Sequence, residues 1–321
     1  MVHLTDKSIG NLQHLIKLKK LKMESGNIIT GSTFNLLPTS LEELELWDIK
    51  NTTDAGIGNL RHLINLKKLK MMHLQLTGST FDLLPPLNLE ELTLGIIKNL
   101  TDAGIANLQY LIELKKLTIV WSGVITGPTF NLLPTSLEEL KLENMDSLTD
   151  AGIANLQHLT KLKKLVIIGN DKITGSTFNL LPTSLEKLEL IIMGRITDAG
   201  IANLQHLTRL KELIIWNTVF TGTTTFNPTT SNLLPMSLEE LRLDNLTNLT
   251  NAAITNLQRL INLKVLDISG CGLLTNHAFD HFPPNLEILK VSECTGIDRY
   301  MLMNSFSKMK QAREERKRKQ K

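Results

Sequence analysis

Two cysteines occur in 321 residues. So few build no disulfide framework and fit a reducing compartment. Apolar runs never exceed a few residues, so no segment is long enough to span a membrane. The opening stretch, MVHLTDKSIGNLQ, has no basic region followed by an apolar one, and no signal peptide is expected. The glycines sit in DAG and TG phrases rather than in a phosphate-binding loop after a strand, and no nucleophile stands beside a candidate base. His14, His62, His158 and His206 recur at one place in LQHL phrases, with Tyr110 and Arg259 at the same place elsewhere. They are repeat residues, not a metal cluster. Cys271 and Cys294 hold equivalent places in adjacent repeats without histidine or carboxylate at metal spacing, and are expected to be small buried residues. Together these absences argue against an enzyme and call for neither metal nor cofactor.

Net charge is also small outside one end. The whole chain carries a formal +3, yet residues 308–321 alone hold eight Lys/Arg against two Glu, so the remainder is slightly acidic. A slightly acidic body argues against nucleic acid, whose phosphates need a basic track.

What the chain has is repetition. The phrase LTDAGIANLQHLTKLKKLVI at 148–167 returns in variants anchored on Thr5, Thr53, Thr101, Thr149 and Thr197, and again at Thr250 after a longer interval. A second phrase, ITGSTFNLLPTSLEELEL, alternates with it on Thr30, Thr77, Thr126, Thr174 and Thr221, with a divergent copy at Thr275. The unit is therefore about 24 residues in two flavours, within the period range of leucine-rich solenoids. In the first flavour, Thr149 and Asp150 stand at a helix start. Ile153, Leu156 and Leu159 follow at helical spacing, and Leu162, Leu165 and Ile167 form an LxxLxL strand. The second flavour puts Phe178 and Leu181 before Pro182, which stops a helix and predicts a 3₁₀ turn. Twelve such strands are expected, the first opening at Leu18 and the last at Leu286.

These residues carry a resemblance. LTDAGIANLQHLTKLKKL and LKVLDISGCGLLT, at 263–275, resemble the cysteine-containing leucine-rich repeats of the F-box/AMN type, over roughly residues 4–297. FNLLPTSLEEL resembles a different variety, the LP-type repeats of protist proteins and bacterial effectors. The resemblance implies an α/β leucine-rich repeat solenoid: curved, about twelve parallel strands on the concave face, short helices and 3₁₀ turns on the convex face. It also implies a non-enzymatic protein-binding role, either as a substrate-recognition subunit in an SCF-type ubiquitin ligase pathway or as a bacterial-type effector acting on host proteins. The family position just past each strand is usually Asn or Cys. Here only Asn170, Cys271 and Cys294 fit, while residues such as Ile49, Leu74 and Met145 depart from it.

The residue after the first Leu of each strand alternates strictly, from Lys19 and Glu42 through to Lys264 and Glu287. With neighbouring strands about 4.8 Å apart, each charge lies between two of opposite sign. An ion-pair ladder that pins register is the favoured reading, and a recognition stripe for a charged ligand is the other. The candidate partner-binding set lies in the strand-end columns and beside them: Trp47, Met72, Val120, Trp121, Val166, Ile168, Ile191, Ile214 and Trp216. It includes all three tryptophans of the chain. An apolar set on a face the fold does not need to bury marks an interaction surface for a protein; packing of these side chains on one another is the alternative.

The solenoid is expected over 1–296, a capping helix with Ile297, Tyr300, Met301, Leu302, Phe306 and Met309 over 297–310, and a basic tail over 311–321. The tail reads as a nuclear import signal or docking arm, or as a frayed helix end. These features suggest a cytoplasmic protein, with nuclear entry an option through the tail. The polar segment 223–232 is expected to be a surface loop. The first repeat starts at once without a polar cap, which leaves open a preceding domain, an N-terminal partner, or a tolerated edge.

Overall fold

A computed structural model describes residues 5–26, 28–217, 228–246, 248–298, and 300, 301, 304, 307 and 311. Thr218, Thr221, residues 223–227, Leu302, Phe306, Met309 and the tail 312–321 lie outside them.

Among the described residues, twelve strands form one parallel sheet in sequence order. They are β1 (Lys20–Glu24), β2 (Glu43–Trp47), β3 (Lys68–Met72), β4 (Glu91–Gly95), β5 (Lys116–Val120), β6 (Glu139–Glu143), β7 (Lys164–Ile168), β8 (Lys187–Ile191), β9 (Glu212–Trp216), β10 (Glu240–Asp244), β11 (Val265–Asp267) and β12 (Ile288–Lys290). The chain divides into two compact units, Met1–Leu165 and Val166–Lys321.

Each first-flavour repeat opens on an α-helix of four or five residues that tightens into a 3₁₀ turn, as in Asp54–Gly58 followed by Asn59–His62. The one continuous helical stripe expected from Ile153, Leu156 and Leu159 is thus two short pieces, with Leu159 already past the end of the second. Thr5, Thr53, Thr101 and Thr197 cap as expected, each accepting from the N–H three residues on; Thr149 and Thr250 make no such bond. In the second flavour, Phe34, Phe81, Phe130 and Phe178 are fully buried at 3₁₀ turns. The chain then turns extended at the leucine before each proline.

The helix-side residues have a further task that the sequence did not disclose. The carboxylate of Asp54 accepts from Thr77 N at 3.0 Å, Thr77 Oγ1 at 2.9 Å and Gly78 N at 2.8 Å. Asp6 clasps Thr30 and Gly31 in the same way, and Asp102 clasps Thr126 and Gly127. Burial works to raise Asp6, but the bonds from Thr30 and Gly31 outweigh it and hold the group below its ordinary value. The clasp also explains paired glycines. Gly78 has φ +85, and a Cβ on Gly104 would come within 2.1 Å of Thr77 O. Only glycine lets the two backbones meet there.

The position past the strand, usually polar in the resembling family, is buried and mostly apolar: Ile49, Leu74, Ile97, Met145, Met193 and Leu246 are at most 1% exposed. The thiol of Cys271, buried and pushed up to about 12 by that burial, donates to Leu243 O at 3.1 Å. Cys294 is only half-buried, contrary to expectation. The inserted segment is likewise not all loop. Pro228–Asn232 is helical, Thr230 and Ser231 are buried, and Thr230 Oγ1 donates to Asp198 Oδ1 at 3.0 Å. Tyr300 and Met301 are 74% and 49% exposed, so neither supplies the buried face expected of a cap.

Candidate functional site

Strand parity sorts the side chains. In the five-residue strands the Leu, Ile or Met side chains at the second and fourth places point into the core, and the first, third and fifth places face outward. The ladder forms as read. Glu42 lies 2.7 Å from Lys19 on one side and 3.3 Å from Lys67 on the other. Hydrogen bonds from these two lysines hold its carboxyl below the ordinary value. Lys163 does the same for Glu138, and Lys264 for Glu239. In the second column, Lys20–Glu43, Lys68–Glu91 and Lys116–Glu139 pair at 2.9, 3.1 and 3.0 Å. A ladder satisfied within itself leaves little field for a charged ligand. A cleft of about 640 Å³ is lined by ladder residues including Glu186, Lys211, Glu239 and Lys264.

The fifth outward place and the residue beside it carry the apolar set. In the first unit, the register runs Glu24, Trp47, Met72, Gly95, Val120, Glu143 across neighbouring strands. Trp47 is half-buried because its own chain covers it: Lys22 and Lys70 lie 5.3 and 4.6 Å from the ring centre, and its Nε1 donates to Glu45 at 3.1 Å. Met72 lies over Gly95, where a Cβ would meet its sulfur at 2.3 Å. Val120 is half-buried, and Trp121 beside it is 58% exposed. In the second unit, Ile191 lies opposite Trp216, which lies opposite Asp244. Trp216 and Ile192 are 40% and 46% exposed, while Ile168, Ile191 and Ile214 are half-buried. Val166 is a correction: it is only 6% exposed.

The backbone sets Trp121 and Ile192 apart. Past each strand comes a residue with positive φ, and in several repeats its N–H still bonds to the next strand, as Trp121 N does to Glu143 O at 2.8 Å and Ile192 N to Trp216 O at 3.0 Å. Most repeats meet this left-handed turn with Asn, Asp, Ser or Gly, as at Asn144, Asn217, Asn245 and Gly169. Trp121, at φ 57, and the β-branched Ile96 and Ile192, at φ 52 and 53, take it at a cost of about 1–2 kcal/mol each.

One feature of this face went unread in the sequence. Asp244 and Asp267 are diagonal neighbours on the outward side of β10 and β11, since Arg242 is the register partner of Asp267. Burial, then the hydrogen bond to Asp267 and its charge, pushes Asp244 up to about 7. Burial would raise Asp267 too, but bonds from Asp244 and Ser269 outweigh it and hold this group low. The two carboxyls therefore share a proton near neutral pH. Their 23-residue separation spans one repeat, and only strand register brings them together. Among the described residues, no group of three or more His, Cys, Asp or Glu is placed to hold a metal ion.

With this geometry in place, comparison with solved structures decides the fold. An internalin (InlF) from Listeria monocytogenes superposes with a TM-score of 0.59 at 20% identity, over 95% of this chain and 88% of that one. The chain has a leucine-rich repeat fold. The TLR13 chain of a complex with ssRNA13 gives a TM-score of 0.57 at 21% identity, over 93% of this chain and 49% of that one. No family model matches the leucine-rich repeat chain, and no curated protein does. Among its described residues, no helix is long and apolar enough to cross a membrane.

Proposed function

We propose that this leucine-rich repeat protein is a non-enzymatic interaction scaffold that binds an apolar segment of a protein partner on the outward sheet face. Trp121 anchors a contact in the first unit, and Ile192 and Trp216 anchor one in the second. The observation that carries the reading is the placing of Trp121 and Ile192. Both occupy a strained turn that most other repeats fill with small or polar residues, Ile96 being the exception, and both present their side chains to solvent. Strain kept at an exposed apolar residue points to a use for that side chain. Repeat solenoids commonly offer such faces to partners.

By resemblance to F-box/AMN-type repeats, the finer reading is substrate recognition in an SCF-type ubiquitin ligase pathway. The LP-type repeats favour a second reading, a bacterial-type effector acting on host proteins. A photo-crosslinking residue placed at 121 or 216, beside one at 110 on the opposite side, tests the site in cells. Adducts to a defined protein are expected from 121 and 216 and not from 110. Equal adducts from all three positions count against this face.

A further inference from the structure

The first column of the charge ladder follows a rule with one interruption. Lys67, Lys115 and Lys163 each reach back to a carboxylate of the strand before, Glu42, Glu90 and Glu138, at 3.3, 3.3 and 2.7 Å. Lys264 holds Glu239 in the same way. By this rule Lys211 should hold Glu186. Among the described residues Lys211 has no ion-pair partner, and neither has Glu186. Glu239, on the other side of Lys211, feels its charge but is bonded to Lys264.

A cleft of about 640 Å³ opens at this interruption, within the second unit. Its wall includes a run of donors that leads into β9. Thr208, Arg209 and Lys211 are exposed. Among the described residues Arg209 has no ion-pair partner either, and the Thr208 hydroxyl makes no hydrogen bond. Other first-flavour repeats fill the places of Thr208 and Arg209 with Ile64 and Asn65, Ile112 and Glu113, or Ile261 and Asn262. Thr160 and Lys161 come nearer, but there Lys163 is held by Glu138.

We propose that this cleft binds an acidic side chain, Asp or Glu, from a peptide segment of a partner protein. The other lysines of the column each hold a carboxylate of the chain itself, and Lys211 takes the missing one from the ligand. The guanidinium fork of Arg209 suits the two oxygens of a carboxylate, and the Thr208 hydroxyl adds a third donor. Lys264 and Glu239 cancel one another, so Arg209 and Lys211 face Glu186 alone. The cleft therefore keeps an excess of positive charge, while Glu186 limits the affinity. The chain's own tail is a poor occupant: residues 308–321 hold eight Lys/Arg against two Glu, and the same cations repel it. The inference is independent of the apolar anchors.

The probe is the pentapeptide Gly-Gly-Glu-Gly-Gly, blocked at both ends so that the carboxylate is its one charge. It is titrated into the full chain while backbone amide shifts are followed by NMR. The amides of Thr208, Arg209 and Lys211 should shift and saturate. Arg209→Ala/Lys211→Ala should weaken binding by at least about fivefold, and Glu186→Gln should strengthen it by about twofold, the scale of exposed ion pairs. Lys161→Ala/Lys163→Ala, in the preceding first-flavour repeat, should leave it unchanged. All five side chains are exposed, so these variants keep the fold. The same shifts from a pentapeptide with Gln at its centre overturn the proposal, because no carboxylate is then needed. So does acetate that binds as tightly as the pentapeptide, or binding by a phosphoserine pentapeptide alone. Weaker binding in Glu186→Gln also overturns it.

Discussion

The clasp side of the repeats and the outward sheet face obey different rules. On the clasp side, the Asp carboxylate, the Thr hydroxyl and the glycine pair return with nearly the same distances at Asp6, Asp54 and Asp102. On the outward face, the fifth strand place changes from Glu24 to Trp47, Met72, Gly95 and Val120. Backbones that must touch permit one solution, so the sequence there is uniform. Side chains that no neighbouring backbone confines are free to vary, and the proposed function has a partner meet the exposed ones among them.

The largest expected effect attacks the uniform side. Gly104→Ala drives a methyl group into Thr77 O, and denaturant titration should show a loss of about 3 kcal/mol, the upper range for overpacking. Asp102→Ala removes bonds to Thr126 and Gly127. It should cost about 2 kcal/mol in the same titration, the scale of hydrogen bonds to a charged group.

The outward face should respond with the opposite sign. Ile96→Asn relieves a left-handed β-branched residue and should add about 1 kcal/mol of stability. Smaller still is the shared-proton pair. Asp244 titrates higher in the folded chain than its ordinary 3.8, at about 7, so the folded state holds the extra proton across that window. Its contribution to stability is therefore lost as pH rises from about 4 to 7. Arg242 and Lys290 face the pair and temper the effect. Asp244→Asn, which donates to Asp267 at every pH, should raise Tm at pH 8 and change it little at pH 4. A rise at pH 4 alone would reverse the assignment.

The fold was legible because period and strand pattern are local. Thr30, Phe34, Leu37 and Pro38 state their repeat without reference to anything distant, and the Lys–Glu alternation gave the register. What the sequence hid depends on neighbours one repeat away. Asp54 read as a helix cap, and only stacking shows it clasping Thr77 and Gly78. Asp244 and Asp267 needed the sheet to meet. Val166 looked outward by parity, yet it is buried. Trp47 counted as an apolar anchor until Lys22 and Lys70 were seen to sandwich it. Trp121 and Ile192 owe their significance to a backbone angle that no composition reports.

The most direct measurement is made on one protein, Trp121→Asn/Ile192→Asn, with melting temperature and affinity for the crosslinked partner read side by side. The double variant should melt higher than the parent and bind its partner at least about tenfold more weakly, as expected when hot-spot side chains are removed. Undiminished binding, or a lower melting temperature, would contradict the claim that strain is kept on this face for the sake of contact.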